Sequence, residues 1–220
     1  MVRQRRAHSQ SFFAQLKELV LPSRKSINEI VSRYSNELEN LVVDAANGTI
    51  KTQSFHNKHD RLIETLGEAA YKEGMMECGL SDREFDDEDS AVVSSWMSNQ
   101  QQYTLGFAQD SVAVSKLETI GERLSARDAM FSRVEMWVKS LRDLGARGCA
   151  RAQEGELASW ELGYSKTHCG DCKRYAAYKP KRMKYWLGHE KLPRSPDLEC
   201  SGLNCQCKLV SVRTGQVLYP

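Results

Sequence analysis

The chain has 220 residues, enough to bury a hydrophobic core, and its 40% hydrophobic and 27% charged residues are typical of a globular protein. The formal net charge of +2 neither favours nor excludes a nucleic-acid or membrane partner, so only the local distribution of charge is informative. No run approaches the roughly 20 apolar residues that span a bilayer, and the basic start Met1–Arg6 lacks a signal-peptide core. We predict a chain without a membrane partner that stays in the compartment where it was made.

The N-terminal part of the chain predicts a basic arm followed by a helical hairpin. Residues 1–22 carry three arginines and a short apolar stretch that ends at Pro22, which indicates an arm leading into a short docking helix. Ser23 is a good N-cap, and after it apolar residues recur in steps of three and four as far as Asn47-Gly48. A second helix is predicted from about Thr52 to Cys78-Gly79, pairing with the first.

An acidic segment separates this hairpin from further helices. Six of the eight residues from Asp82 to Asp89 are acidic, which predicts a solvated loop or an attachment point for a basic partner. Helical periodicity resumes at Ser90 and continues to Leu124, and a heptad-like apolar seam follows from Ala126 to about Ala150. We predict that the apolar seams pack within the chain, with subunit contacts as the alternative; these seams are Ile27, Val31 and Tyr34 in the first helix and Val134, Val138 and Leu141 in the last one.

The cysteines are unevenly distributed. Five of the seven fall between residues 169 and 207, whereas Cys78 and Cys149 stand alone. This clustering favours a metal site in a reducing cytosol over a disulfide framework. Cys169 and Cys172 are separated by a two-residue turn that allows both sulfurs to face one ion. Buried thiols without a metal and a thioredoxin-like redox pair are the alternatives.

One closed site that uses four of the clustered thiolates is the preferred arrangement. We predict that the ligands are Cys169, Cys172, Cys200 and Cys205. Zinc fits because thiolates favour it, and a four-sulfur site without an open position is structural rather than catalytic. Cys205 and Cys207 would have to strain a strand to share an ion, so Cys207 or His168 remain only as alternates.

The composition changes after Glu154-Gly155-Glu156. Four of the five prolines and the cluster of cysteines follow this point, and helical periodicity fades. The last segment, residues 207–219, predicts a hairpin around Thr214-Gly215. The predicted fold is mainly α, with a helical N-terminal part followed by a small zinc-stabilised α+β module that ends in a hairpin. The predicted units are a basic arm and short helix at 1–22, a helical domain at 23–155 and a cysteine-rich module at 156–220.

Basic and aromatic side chains alternate around the cysteines. Residues 166–208 contain ten lysines and arginines against four acids. A zinc module of this kind can contact nucleic acid through phosphate pairing and base stacking. The candidate contacts are Lys173, Arg174, Lys181, Arg182 and Lys184. A solvated rim around a small core is the simpler interpretation, since no recognition-helix pattern accompanies the charges.

The remaining polar residues predict no catalytic site. His189, Glu190 and Asp197 suggest a nuclease, but their spacing does not group them on one open metal ion. His56 and His59 lie three residues apart on the second predicted helix, where ordinary surface positions explain them. We therefore predict that the protein is not an enzyme.

A combination of short motifs extends over residues 28–210. The motifs are Glu68–Gly74, Trp160–Gly163, His168–Cys172, Leu192-Pro193, and Cys200 with Asn204–Leu209. Together they resemble the minor head, or head-morphogenesis, proteins of tailed bacteriophages. In that family a helical part precedes a short cysteine module that ends in a Cys-x-Cys step, often with His where this chain has Cys200. The resemblance is strongest over residues 157–210.

The resemblance implies a structural protein of the virion. It implies low copy number, action in head assembly near the portal, the shell or the packaged DNA, and no catalysis. The implied partners are other phage structural proteins, namely the portal and the major capsid protein, within an oligomeric assembly. The implied locations are the virion and, during assembly, the host cytoplasm. The alternative, which rests on the basic residues, is a zinc-stabilised DNA-binding protein that acts on its own.

Overall fold

The computed structural model describes residues 26–164, 167–189, 192–195, 197–200 and 205–220. Four long helices come first: α1 Ile27–Ala46, α2 Thr52–Glu77, α3 Asp87–Ala113 and α4 Ile120–Ala152. The C-terminal elements are β1 Leu157–Glu161, α5 Gly170–Ala176, β2 Lys181–Arg182, α6 Met183–Gly188, β3 Lys208–Ser211 and β4 Val217–Tyr219. The predicted mainly α fold with a small α+β C-terminal part is confirmed. The predicted arm at 1–22 lies outside the described residues.

A capping box sets the start of α1. The backbone N–H of Glu29 donates to Ser26 Oγ at 3.3 Å, and the N–H of Ser26 donates to the Glu29 carboxylate at 2.8 Å. The N-cap is therefore Ser26 rather than the predicted Ser23, which lies outside the described residues. A capping box requires an acidic or amide side chain three residues after the cap, and only Ser26 has one. The predicted hairpin of α1 and α2 is confirmed.

A second capping box interrupts the helical run that was predicted to continue to Leu124. The chain leaves α3 through a short 3-10 turn at Val114–Lys116, and α4 begins after Thr119. The N–H of Glu122 donates to Thr119 Oγ1 at 3.2 Å, and the N–H of Thr119 donates to the Glu122 carboxylate at 3.1 Å. Periodicity alone missed this boundary because both flanking segments are helical.

The acidic segment 82–89 is solvated as predicted at five of its six acids, but it is not a loop throughout, because a 3-10 turn spans Asp82–Glu84 and α3 begins at Asp87. Asp86 is the N-cap of α3 and accepts the N–H of Asp89 at 3.0 Å. Asp89 is only 1% exposed, and its carboxylate accepts the Tyr71 hydroxyl at 2.7 Å and Arg151 Nε at 3.2 Å. The prediction missed the helix start and the burial of Asp89, because carboxylates stabilise the positive end of a helix and because the buried carboxylate has partners of its own.

The four long helices enclose the first hydrophobic core. The predicted seams of α1 and α4 supply Val31, Tyr34, Val134 and Leu141 to it, which confirms that they pack within the chain. No helix in the described part of the chain is long and apolar enough to cross a membrane.

His59 lies at the centre of this core and not on the helix surface. Its ring is 0% exposed and packs edge-on against Trp137, with 4.6 Å between ring centroids. Its Nε2 lies 3.0 Å from the Tyr34 hydroxyl, whereas its Nδ1 has no hydrogen-bond partner among the described residues. Burial, with a smaller contribution from the charge of His56, lowers the pKa of His59 to about 3.

Cys78 and Cys149 form a disulfide, although the sequence analysis treated both as isolated residues. Their Cα atoms lie 5.1 Å apart, at the end of α2 and near the end of α4. Glycines allow this approach, because a Cβ atom on Gly148 would clash with the backbone carbonyl of Tyr71. The two helices therefore meet backbone against backbone. Because the two cysteines are 71 residues apart in the sequence, no local pattern indicates that they pair.

Loss of this disulfide is expected to lower the free energy of unfolding by about 2–4 kcal/mol, because the bond restricts the unfolded chain. Urea unfolding of metal-loaded protein, followed by circular dichroism, should show a lower midpoint for reduced than for oxidised wild type. The Cys78→Ser, Cys149→Ser double variant serves as the control and should match the reduced protein. Equal midpoints for oxidised and reduced wild type would contradict the expectation.

The C-terminal sheet is antiparallel, with strand order β2-β1-β3-β4. The predicted terminal hairpin is confirmed as β3 and β4, and Gly215 in its turn has a φ of 70°. The second core lies under the sheet, where the rings of Trp160, Tyr175 and Trp186 pack together. Ala150 of α4 is buried in this core, so the long helix contributes to both cores.

Candidate metal centre

The cysteine cluster is built from three segments of the C-terminal module. Cys169 is the N-cap of α5, and its Sγ accepts the backbone N–H of Cys172 at 3.4 Å. Cys200 follows Glu199 in a second segment, and Cys205 and Cys207 come shortly before β3. The thiols of Cys172, Cys205 and Cys207 are all buried.

The sulfurs gather into two groups of three. One group contains Cys169, Cys172 and Cys200, and the other contains Cys172, Cys205 and Cys207; within each group all Sγ atoms lie within 4.8 Å of one another. The Sγ atoms of Cys172 and Cys205 are 3.9 Å apart. A tetrahedral ion with metal–sulfur bonds of about 2.3 Å places its ligands about 3.8 Å apart. The sulfurs of Cys172 and Cys205 therefore lie at the spacing found around a bound metal ion, and the other members of each group are near enough to join them.

All four predicted ligands belong to this cluster, but their four sulfurs do not form one group of mutual neighbours. Cys205 is grouped with Cys172 and Cys207 instead of with Cys169 and Cys200. The expectation that Cys205 and Cys207 would strain a strand is wrong, because β3 begins only after both of them. The alternate His168 is also near, with its Nδ1 3.9 Å from Cys207 Sγ. The choice of four ligands stays a prediction.

A pair of acidic side chains fixes Cys200 beside α5. The N–H of Gly170 donates to the Glu199 carboxylate at 2.6 Å, and the N–H of Glu199 donates back to Asp171 Oδ2 at 3.0 Å. Arg174 also pairs with the Asp171 carboxylate. The residue before Cys200 is thus tied to the helix that carries Cys172. The sequence analysis did not identify Asp171 and Glu199 as positioning residues, although an acid in the first turn of a helix is a recognisable signal.

Close backbone packing brings the Cys-x-Cys step to the sheet. A Cβ atom on Gly163 would overlap Gln206, the residue between the two cysteines. Gly163 follows β1 directly after Leu162, so only a glycine lets this strand end against the cysteine segment. This contact gives a physical role to the glycine of the Trp-Glu-Leu-Gly motif.

Arg194 links the cluster to the long helix. Its Nε donates to the carbonyl of Cys205 at 3.4 Å, and its Nη1 lies 3.4 Å from Asp143 on α4. Burial raises the pKa of Asp143, while the positive charge of Arg194 opposes that rise. The backbone of Arg194 has a φ of 66°, in the left-handed region that few non-glycine residues adopt. Two partners that are distant in sequence therefore hold this residue in place.

The thiols of the cluster differ in how readily they lose their protons. Burial raises the pKa of Cys172, and the neighbouring thiols of Cys169 and Cys207 raise it further. Burial also opposes ionisation of Cys169 and Cys205, but hydrogen bonds from the N–H groups of Cys172 and Cys207 outweigh it and lower the pKa of both thiols. Cys169 and Cys205 are thus prepared to act as thiolate ligands.

The candidate nucleic-acid contacts lie along α5, β2 and α6. Lys173, Arg174, Arg182 and Lys184 are exposed. Lys181 is half-buried, with its ammonium group 5.3 Å from the centre of the Tyr185 ring. Lys166 and Lys191 are outside the described residues.

The residues that suggested a nuclease form local contacts. His189 stacks on Tyr185, with 4.1 Å between ring centroids, and its Nδ1 lies 2.7 Å from the Tyr185 carbonyl. The backbone N–H of Asp197 donates to Ser195 Oγ at 3.3 Å. Glu190 is outside the described residues. In the part of the chain that the structure describes, the groups placed to hold a metal consist of thiols alone.

The fold and this cluster were compared with known proteins. The comparison with protein-family models, with curated proteins and with solved structures found no match to this chain.

Proposed function

We propose that the chain is a structural protein of a tailed-bacteriophage head, whose C-terminal module is held together by zinc and whose helices contact the portal, the shell or the genome. One observation carries the proposal: the five thiols between Cys169 and Cys207 converge on one cluster, and Gln206 beside them packs against Gly163 of the motif Trp160–Gly163. The role in the virion is inferred from the motif resemblance. The cluster explains why the module contains cysteines in that pattern.

Zinc is the metal that this donor set fits best. Thiolates and one imidazole are ligands that zinc prefers, and zinc requires no redox partner. The bound ion would join the start of α5, Cys200 and the segment before β3. Among the described residues, the contacts of Asp171, Glu199 and Arg194 given above also connect these parts. A structural ion in this position would stabilise the module without taking part in a reaction.

The helical part offers a surface for a protein partner. Leu117, Ile120 and Leu124 lie around the start of α4 with 36%, 73% and 46% of their surface exposed. Ile120 and Leu124 line a shallow groove together with Arg123 and Arg127. Exposed apolar side chains that are flanked by arginines favour contact with a partner that has both apolar and acidic groups.

The proposal is tested in the virus that encodes the chain. Mass spectrometry of purified particles should detect the protein, and Cys169→Ser should lower the yield of filled heads because the C-terminal module loses its metal. Cys78→Ser is the control that removes a sulfur outside the cluster: it loses the disulfide and the stability that the disulfide provides, but it keeps the metal, so its yield of filled heads should stay well above that of Cys169→Ser. Normal particle yields without the protein would overturn the proposal.

A second candidate function is DNA binding, which the exposed basic residues of the C-terminal module favour. Affinity for duplex DNA is expected to fall by a factor of 10 or more between about 50 and 200 mM salt, because bound phosphates release counterions. Fluorescence anisotropy measures this dependence.

Charge reversal then locates the DNA contact. The Lys173→Glu, Arg182→Glu, Lys184→Glu triple variant should bind at least about 10-fold more weakly and show a shallower salt dependence. Lys58→Glu, on the exposed side of α2, is the control and should change affinity little. Binding that does not respond to salt would remove this candidate.

A further inference from the structure

We propose that the cysteine cluster binds two metal ions and that the thiolate of Cys172 bridges them. The inference rests on the metal-binding part of the proposed function and adds a second ion to it. Its basis is the arrangement of the five sulfurs, which form two groups of three with Cys172 as the shared member.

This arrangement differs from that of a single four-sulfur site. Around one tetrahedral ion, every pair of ligand sulfurs is about 3.8 Å apart, so four thiols form a single compact group. Among the described residues, the groups with mutual distances within 4.8 Å contain three thiols each. An ion placed in either group is therefore near Cys172 and two other thiols, and each group is a separate position for a metal.

The second group has three thiol donors and a histidine beside it. Cys172, Cys205 and Cys207 supply the three sulfurs, and His168 lies next to Cys207, with its Nδ1 3.9 Å from Cys207 Sγ, so that a shift of its ring toward the group would make it the fourth ligand. Three thiolates and one histidine form a common tetrahedral zinc site. Cys207 is 1% exposed, so a metal ion bound there would neutralise the charge of its thiolate in a site that water does not reach.

The first group has three thiol donors and an accessible side. Cys169 and Cys200 are half-buried, so a water molecule can reach an ion bound there and complete its coordination. A thiolate sulfur has more than one lone pair and can coordinate both ions at once. Two divalent ions also balance four of the five thiolate charges, whereas one ion with four thiolate ligands balances only two.

Native mass spectrometry of the full-length, fully reduced protein loaded with zinc measures the number of bound ions. We expect two zinc ions per chain. One zinc ion per chain would overturn the shared-thiolate arrangement and leave the proposed zinc module intact. A chain that binds no zinc would overturn both proposals, so the two failures are distinguishable.

Substitutions at the two ends of the cluster provide a second test. Cys200→Ser and Cys207→Ser should each reduce the content from two ions to one, because each removes a ligand from a different position. Cys78→Ser, which also removes one thiol, should retain two ions. Unchanged metal content in Cys207→Ser would contradict the inference.

Cobalt(II) tests the bridge itself. Two cobalt ions that share a thiolate are magnetically coupled, so the electron paramagnetic resonance signal should rise with the first equivalent and fall as the second binds. A signal that grows in proportion to both equivalents would show two independent ions and would rule out a bridging Cys172.

Discussion

Removal of the bound metal is expected to unfold the C-terminal module and to leave the four-helix core intact. Structural zinc contributes on the order of 10 kcal/mol to the folding of small domains, and here it would connect the start of α5, Cys200 and the segment before β3. Hydrogen exchange measured by mass spectrometry should show lost protection over residues 157–220 after chelation. Protection in α1, α2 and α3 should persist, because their core is formed by other residues.

Among the cysteine substitutions, Cys172→Ser should have the largest effect on the module. Cys172 belongs to both groups of thiols, whereas Cys200 and Cys207 belong to one each. Cys149→Ser is the control, since its sulfur pairs with Cys78 outside the cluster. An exchange pattern that chelation does not change would show that the module folds without metal and would contradict the expectation.

Acidification is expected to destabilise the helical core through His59. In the unfolded chain this side chain has the ordinary pKa of 6.5, whereas burial lowers the pKa of His59 to about 3 in the folded protein. Between these values the unfolded state binds a proton that the folded state does not, so stability is complete above pH 6.5 and is lost as the pH falls. The slope is about 1.4 kcal/mol per pH unit, or about 2 kcal/mol between pH 6.5 and about pH 5.

Urea unfolding at several pH values measures this effect. His59→Gln keeps a polar group within reach of the Tyr34 hydroxyl but does not titrate, so this slope should be absent. His189→Gln replaces an exposed histidine and should retain the slope of the wild type. At low pH protons also compete with the metal for its ligands. This effect is the same in both variants, so it cancels when their slopes are compared. An equal slope in His59→Gln would contradict the assignment.

The sensitivity to metal loss and the sensitivity to low pH arise in two different cores, to both of which α4 contributes. His59 lies in the core formed by α1 to α4, while the thiols lie in the core under the sheet. The disulfide and the Arg151–Asp89 pair join α4 to the ends of α2 and α3 between these cores. We therefore expect metal loss to act mainly on the module, and low pH mainly on the helices.

Local patterns were sufficient for most of the secondary structure. Apolar residues in steps of three and four predicted α1 and α2, and the turn at Asn47-Gly48 predicted their pairing, because both signals depend on residues within one or two helical turns. The terminal hairpin was predicted by the same kind of local signal at Thr214-Gly215. The capping box at Thr119 was equally local but was hidden by helical periodicity on both sides.

Contacts between residues distant in sequence could not be predicted in this way. His59 and Asp89 look like surface residues in the sequence, but the structure buries both and supplies Tyr34, Tyr71 and Arg151 as their partners. A polar side chain becomes tolerable inside a protein only when folding brings a partner to it, and that partner has no fixed spacing along the chain.

The cysteines show the same division. Their number and the two-residue spacing of Cys169 and Cys172 were enough to predict a metal site, because the chemistry of thiolates is independent of the fold. Which sulfurs are neighbours depended on the packing of Gly163 against Gln206 and on the contacts of Glu199 and Arg194. The pairing of Cys78 with Cys149 depended likewise on the close approach of two helices. Residue type therefore determines which bonds are possible, and the packing of distant segments selects the ones that form.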